Sequence, residues 1–219
     1  MGIDRIYDFG SQFGFGYYSG IDIPNEYNGL WPSKEWKQQK RGLPWFPGDT
    51  LNVGIGQGDA LATPLQLAVM TATIANRGKR LTPKLVKSIN QQRLASTITN
   101  RVAANDVNWQ KVLDAMYGVV HKHNGTARAI GHSAAYKMAG KTGTAQVVSI
   151  KQDEEYDAES MEERQRDHAL FVGFAPFDKP KIAVAILVEN GGSGSSTAAP
   201  IARKLFDLHL LDIQTQAER

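Results

Sequence analysis

The chain has 219 residues, of which 42% are hydrophobic and 21% charged, a composition close to the globular average that excludes a disordered tail, a collagen-like fibre and a coiled coil. Its 25 basic and 22 acidic side chains leave a net charge of +3, which is too small an excess to indicate nucleic-acid binding. Because there is no cysteine, disulfides, thiolate metal clusters and a cysteine nucleophile are excluded.

The beginning of the chain does not resemble an export signal, because Asp4 and Asp8 stand where such a signal is basic and then apolar. Ile3, Ile6 and Tyr7 instead follow a helical spacing from the start, which is a first indication of a fragment. No run of 18 apolar residues occurs, so we expect no membrane-spanning segment.

The region from Gly14 to Gly58 is rich in glycine, proline and aromatic residues, and it is predicted to be mostly loop with short elements. It contains three of the four tryptophans, Trp31, Trp36 and Trp45. We expect these rings to pack beneath the loop rather than to form a ligand platform.

A helix is predicted to begin after Thr63, with Pro64 at its first position and Gln66 completing a capping box. Apolar residues then follow at helical spacing until Gly78 ends the pattern. The next stretch, Arg80 to Ile89, alternates weakly and is predicted to be a strand or an extended segment.

A second helix is predicted from Asp106 to about His121, because its apolar residues form one face. The dipeptide Asn124-Gly125 should end it. The apolar face consists of Trp109, Val112, Leu113, Met116, Val119 and Val120.

The last third of the chain contains three β-rich runs, Tyr136 to Ile150, His168 to Ala175 and Ile182 to Glu189. The third run is apolar on both faces, which is typical of a central strand covered on both sides. Together with the helices, these strands predict an α+β fold in which helices pack on a mainly antiparallel sheet.

Two further segments complete the prediction for this part. Asn190 to Ser196 should form a turn, and Thr197 to Leu211 an amphipathic helix. The residues expected to face inward from that helix are Ile201, Leu205, Phe206 and Leu208.

Between the first two of these strands, Lys151 to Asp167 carries eight acidic and three basic residues. The segment lacks the spacing and the glycine of a calcium-binding loop. We expect a solvated, mobile excursion.

Several common sites lack the sequence motifs that would support them, although spacing alone does not exclude a Ser-His-Asp triad. Gly54, Gly56 and Gly58 lack the final glycine or alanine of a dinucleotide fingerprint, because Asp59 stands there. The Gly-Lys-Thr at 140–142 lacks the first glycine of a phosphate-binding loop and is followed by a strand pattern. The five histidines form no zinc-binding pattern, and no G-x-S-x-G elbow supports a catalytic triad.

The segment GKTGTAQV, residues 140–147, has the residue types of a carboxylate-binding strand. Thr142 and Thr144 should point to one face because strands alternate with period two. Lys141 adds a nearby ammonium, and Gly143 allows a close backbone approach. Taken alone, the tripeptide Lys-Thr-Gly favours an ordinary threonine-rich strand with a solvated lysine.

The rest of the sequence favours a functional role for this strand. K-T-G is one of three signature motifs of penicillin-binding proteins and serine β-lactamases. Further segments accompany it along the chain, in this order: FGFGYYSGIDIP, EWKQQKRGLPWFPGDT, VGIGQGDALATPLQLA, MYGVV with NGTA, YKMAGKTGTAQV, RDHALFVGFAP and AVAILVENGGSG. In these segments and their order, over about residues 1–211, the chain resembles the class B penicillin-binding proteins, in particular their elongation-type penicillin-binding protein 2 group in Gram-negative bacteria.

The resemblance implies a peptidoglycan D,D-transpeptidase, in which a serine attacks a D-Ala-D-Ala stem peptide and a neighbouring amine resolves the acyl-enzyme. Lys141 would support a hydrogen-bond network with a second-motif serine. The hydroxyls of Thr142 and Thr144 would bind the substrate or β-lactam carboxylate beside Gly143. The backbone N–H of Thr144 would be an oxyanion donor.

The sequence implies no organic cofactor, and its scattered histidines and small net charge favour neither a metal site within this chain nor a nucleic-acid partner. The resemblance implies that the parent protein works at the periplasmic face of the inner membrane, beside membrane proteins of the elongation complex that include a lipid-II polymerase. The fold would be the penicillin-binding transpeptidase fold, with the last three of its five strands present here.

The sequence departs from the family at the nucleophile, because no S-x-x-K occurs. Ser133 is followed by Lys137, one residue too late, and Ser88-Ile89-Asn90 has the second motif's form in the wrong place. We therefore expect residues 1–211 to be a C-terminal portion of a transpeptidase domain and 212–219 a tail. That portion would be inactive and marginally stable alone.

Two alternatives stay open. One is a relative of the D,D-carboxypeptidases or serine β-lactamases, which the GIGQG and NGTA segments disfavour. The other is a non-catalytic binding remnant of the fold, which the missing S-x-x-K favours.

Overall fold

The computed structural model describes residues 1–147 and 162–217, with side chains described up to residue 211. The chain divides into two compact units, Met1–Asn105 and Asp106–Arg219. Most of the acidic segment expected as a mobile loop lies outside the described residues. Of its described part, Glu163–Gln165 forms a short 3₁₀ turn.

The first unit consists of four helices and two small antiparallel sheets, in which β1 pairs with β4 and β2 with β3. Its elements are α1 (Ile3–Gln12), α2 (Lys34–Arg41), α3 (Pro47–Gly54), α4 (Pro64–Ala75), β1 (Lys79–Leu81), β2 (Ser88–Ile89), β3 (Gln92–Arg93) and β4 (Ile98–Arg101). The helical start, the irregular region with short elements and the extended segment after Gly78 therefore match their predictions.

Helix α4 begins with the predicted capping box. The Thr63 hydroxyl accepts from the Gln66 N–H at 3.1 Å, and the Gln66 side-chain oxygen accepts from the Thr63 N–H at 2.9 Å. The buried Gln66 amide nitrogen also lies 2.8 to 3.2 Å from three backbone carbonyl oxygens of the glycine-rich loop. One polar side chain thus caps the helix and fixes the loop in front of it.

Trp31 is a packing residue of the first unit, as expected. The Trp31 indole N–H donates to the carbonyl oxygen of Tyr7, and its ring stacks on Phe15. A Cβ at Gly10 would lie 2.4 Å from the Trp31 ring, so α1 needs glycine there. Trp45 lies beneath the Lys37 ammonium, which also forms an ion pair with Asp49.

The second unit is an antiparallel three-stranded sheet, ordered β5-β6-β7, with helices packed on it. Its elements are α5 (Asp106–His121), α6 (Arg128–Gly131), β5 (Ala139–Ala145), β6 (His168–Ala175), β7 (Ile182–Val188) and α7 (Ala199–Ala217), with a π-helical turn at Gly194–Ala198. The predicted α+β class with an antiparallel sheet is confirmed.

Two details of that prediction are wrong. The central strand is β6, whereas β7 pairs with β6 alone among the described residues and leaves Leu187 39% exposed. The first strand is also shorter than predicted within the described residues, since β5 runs over Ala139–Ala145. Residues 148–150 of the predicted run lie outside the described residues.

The face assigned to the last helix is wrong except at Phe206, which is fully buried. Ile201, Leu205 and Leu208 are exposed, and Leu208 retains 61% of its accessible surface. Small residues at the start of α7 lie in the core instead, which lets the helix approach closely, and the three bulky side chains just named turn outward. The buried residues of this segment are Ala198, Ala199, Ala202, Phe206 and Leu210.

The core of the second unit centres on Phe171, in the middle of β6, which is completely buried. A Cβ at Gly140 would lie 2.4 Å from the Phe171 ring and 2.6 Å from the Val172 carbonyl oxygen. Residue 140 must therefore be glycine for β5 to pass beneath the ring.

No helix of the described residues is both long enough and apolar enough to cross a lipid bilayer.

Gly140→Ala should destabilise the chain by about 1–3 kcal/mol, because the added methyl group overpacks the Phe171 contact. Gly143→Ala is the matched control on the same strand, since its Cβ would meet only the Leu170 side chain at 3.4 Å. Urea unfolding of both variants measures the difference. Equal free energies of unfolding would contradict this view of the core.

Candidate functional site

Strand β5 presents the Lys-Thr-Gly-Thr segment in a fixed register. Thr142 lies opposite Phe171 and Thr144 opposite Ala169, so both threonines share the face of the sheet that carries the core. Lys141 and Gly143 take the opposite face. The strand thus aligns two hydroxyls, as the sequence predicted, with Thr144 exposed and Thr142 half-buried.

The peptide groups of β5 alternate in direction, and two contacts at its start set the phase. The Lys137 carbonyl oxygen accepts from the Phe177 N–H, on the β6 side, at 2.9 Å. The Met138 N–H points the other way and donates to His121 Nε2 at 3.1 Å. Counting in steps of two from Met138, the N–H groups of Thr142 and Thr144 point away from β6.

Lys141 lies on the exposed part of the strand. Its ammonium donates to the Thr142 carbonyl oxygen at 2.7 Å, on the edge of β5 that faces away from β6. The family resemblance implied that Lys141 contacts a serine of the second motif. Among the described residues, no serine forms a hydrogen bond with Lys141. The ammonium therefore adds positive charge to the same edge as the Thr144 N–H.

Thr126 is a residue of this site that the sequence analysis did not assign. Its hydroxyl oxygen lies 3.0 Å from that of Thr142. The signal for it was present, because Thr126 belongs to the NGTA segment that contributed to the family resemblance. The sequence does not show, however, which residues lie close together in space, so the contact with Thr142 is known only from the structure.

The loop after β7 packs on the backbone of the same strand. A Cβ at Gly194 would lie 2.2 Å from the Leu170 carbonyl oxygen and 2.5 Å from that of Gly143, so only glycine fits. The loop begins at Asn190, whose N–H donates to His168 Nδ1 at 2.9 Å. Asn190, Ser193 and Ser196 of this loop line an open pocket of about 480 Å³ together with Arg166.

His121 is a titratable group that contacts the start of β5. Burial lowers the pKa of His121, and the charge of Lys137 acts in the same direction. A neutral imidazole is also what the contact requires, because Nε2 accepts the Met138 N–H only when it carries no proton. Its ring stacks on Tyr117 of the same helix.

In the described ranges 1–147 and 162–217, no three histidine or carboxylate side chains come together in a group that could bind a metal ion. The chemistry that the strand can perform is hydrogen bonding to an anion. Two hydroxyls, an ammonium and an outward N–H are all donors, and a carboxylate or an oxyanion is the ligand that such a set fits.

Comparison with protein families matches residues 1–207 to the penicillin-binding protein transpeptidase domain. The peptidoglycan D,D-transpeptidase MrdA of Salmonella typhimurium is 43% identical over 220 residues, covering 98% of this chain and 35% of the relative. The chain thus spans about a third of the length of the curated relatives it matches.

Solved structures agree with that match. A crystal structure of Pseudomonas aeruginosa PBP2 in complex with WCK 5153 superposes with a TM-score of 0.83 at 46% identity, covering 96% of this chain and 44% of that one. A complex between PBP2 and MreC from Helicobacter pylori gives 0.80 at 34% identity, covering 96% and 36%.

The His121 contact predicts a pH-dependent stability. Because the pKa of His121 is lower in the folded chain than the value of about 6.5 in the unfolded chain, the unfolded state gains protons first as the pH falls. The free energy of unfolding should be unaffected by this group above about pH 6.5 and should decrease below it.

Urea unfolding at pH 7.5, 6.5 and 5.5 measures this contribution. His121→Gln should flatten part of the decrease, and His121→Ala should cost about 1–3 kcal/mol at pH 7.5 because the Met138 N–H loses its acceptor. His123→Gln, at an exposed position two residues on, is the control. An unchanged pH profile in His121→Gln would rule out the assigned role.

Proposed function

The chain belongs to the penicillin-binding protein transpeptidase family, and from this membership we propose that it supplies the substrate-binding strand of a peptidoglycan D,D-transpeptidase. The observation that carries the proposal is the alignment of Thr142 and Thr144 on one face of β5, with the Thr144 N–H directed to the outer edge. A stem peptide that ends in D-Ala-D-Ala has both groups that this strand fits, a terminal carboxylate and a scissile carbonyl.

In the proposed mechanism, β5 binds the peptide by its carboxylate. The Thr142 and Thr144 hydroxyls donate to the carboxylate oxygens, and the Lys141 ammonium raises the local potential that attracts them. Two convergent donors fix the terminal residue and hence the position of the preceding carbonyl carbon.

The same strand stabilises the charge that develops during acyl transfer. When a serine oxygen attacks the carbonyl carbon, the carbonyl oxygen gains negative charge, and the Thr144 N–H donates to it. Collapse of this intermediate releases D-Ala and leaves an acyl-enzyme, which an amine of a neighbouring stem then attacks. A β-lactam with its own carboxylate would occupy the same donors.

The serine nucleophile of this reaction would belong to an S-x-x-K motif, and no such motif occurs in the 219 residues. We propose that the chain acts within a longer polypeptide that carries this motif, at the periplasmic face of the inner membrane, and that the isolated chain forms no acyl-enzyme. The PBP2 of Helicobacter pylori occurs in a complex with MreC, which supports membrane proteins of the elongation complex as partners.

A non-catalytic binding remnant of the fold is the second candidate, and the absence of S-x-x-K is the observation that favours it. The two candidates differ in whether β5 still works when a nucleophile is provided. A chimaera settles this, in which the matching third of the Salmonella typhimurium MrdA is replaced by this chain.

Fluorescent penicillin should label the folded chimaera and leave the isolated chain unlabelled on a denaturing gel. Unlabelled benzylpenicillin should compete for the band, and the complete Salmonella protein is the positive control. A covalent band on the isolated chain would contradict the proposed need for an S-x-x-K serine. A chimaera that unfolds cooperatively and never labels would favour the non-catalytic remnant.

Thr142→Val and Thr144→Val should each lower the second-order acylation rate of the chimaera. A hydrogen bond to a charged group contributes about 1.5–3 kcal/mol, which corresponds to a decrease of about 10- to 150-fold. Thr71→Val is the matched control, because its buried hydroxyl donates to the Leu67 carbonyl oxygen of its own helix. Wild-type rates in both β5 variants would overturn the carboxylate-binding role.

A further inference from the structure

The segment between α5 and α6, residues 124–127, is fixed by packing at two of its four positions. A Cβ at Gly125 would lie 2.3 Å from the Val119 carbonyl oxygen, so only glycine fits. Ala127 is 99% buried, and its N–H donates to the same carbonyl oxygen at 3.0 Å. The backbone of the segment is therefore anchored on both sides of Thr126.

Packing does not explain a threonine at position 126. The residue is exposed, and its neighbours already hold the segment in place. What the anchored backbone does is direct the Thr126 hydroxyl toward β5, where its oxygen lies 3.0 Å from that of Thr142. Either hydroxyl can be the donor in this pair.

The attachment of α5 to β5 also does not depend on this pair. The bond from the Met138 N–H to His121 joins the end of α5 to the start of the strand. The Arg203 guanidinium, held by Asp207, donates to the Ile130 carbonyl oxygen at 2.7 Å and so ties α6 to α7. A structural link through two exposed hydroxyls would add little to these contacts.

We propose that Thr126 is a positioning residue that orients the Thr142 hydroxyl toward a bound carboxylate. The inference rests on the proposed function of Thr142 and extends it to a residue outside the Lys-Thr-Gly segment. A hydroxyl has one donor hydrogen and two acceptor lone pairs, whereas a carboxylate is only an acceptor. When the carboxylate takes the hydrogen of Thr142, the pair with Thr126 survives only if Thr126 is the donor.

This arrangement makes the Thr126 contribution specific for an anionic ligand. The chain of bonds runs from the Thr126 hydroxyl to the Thr142 oxygen and from the Thr142 hydroxyl to the carboxylate. Each bond polarises the next, so Thr142 becomes a stronger donor to the negative charge than an isolated hydroxyl. A ligand without the charge draws less on this effect, and that difference is measurable.

The test compares benzylpenicillin with its methyl ester as acylating agents of the chimaera described above. Thr126→Val should lower the acylation rate with the acid about 3- to 10-fold and leave the rate with the ester nearly unchanged. Thr126→Ser, which keeps the hydroxyl, should restore the acid rate. Thr71→Val should change neither rate.

The outcomes separate this inference from the function on which it rests. If Thr142→Val lowers the acid-to-ester ratio and Thr126→Val does not, the role of Thr126 is wrong and the proposed function stands. If Thr142→Val leaves the ratio unchanged, the proposed function itself fails. An equal loss with acid and ester in Thr126→Val, or a lowered unfolding midpoint of that variant, would indicate a structural role and overturn the inference.

Discussion

The contact on which the rest of the second unit depends is the one between the Phe171 ring and Gly140. The ring fills the space that a side chain at position 140 would occupy, so β5 can lie beside β6 in only one register. A slip by one residue would bring a side chain into that space and turn both threonines to the other face of the sheet. Core packing thus decides where the polar donors of β5 lie.

Three other close approaches adjust the surroundings of the same strand. Gly194 brings the loop after β7 onto the backbone of Gly143, and Gly125 brings the segment after α5 within reach of Thr142. His121 takes the Met138 N–H, the first of the outward peptide groups, so that α5 is joined to the edge of the strand. The donor edge is therefore held by backbone contacts that tolerate little change, while Lys141 and Thr144 are exposed and Thr142 is half-buried.

Much of this architecture is predictable from local sequence signals. The capping box at Thr63 and the helical spacing of α5 depend on neighbouring residues alone, and both helices occur with their predicted starts. Val112 is the exception on the predicted face of α5, because it is 43% exposed. The face of α7 was not predictable in the same way. Ala198 and Ala202 are buried with the strand residues Ala169 and Phe171, and their small side chains let the helix lie close to the sheet. A hydrophobicity pattern selects the larger side chains instead, and three of these, Ile201, Leu205 and Leu208, point outward here. The contact between Thr126 and Thr142 spans 16 residues and depends on Gly125 and Gly140 together, so no local pattern could indicate it.

The central claim is that β5 receives a carboxylate on the hydroxyls of Thr142 and Thr144. A crystal structure of the chimaera with benzylpenicillin covalently bound tests it most directly. The account predicts that the carboxylate oxygens of the ligand lie within hydrogen-bond distance of both hydroxyl oxygens, about 2.5–3.0 Å. The ligand's carbonyl oxygen should face the Thr144 N–H. An acylated chimaera whose ligand carboxylate contacts neither threonine would contradict the account.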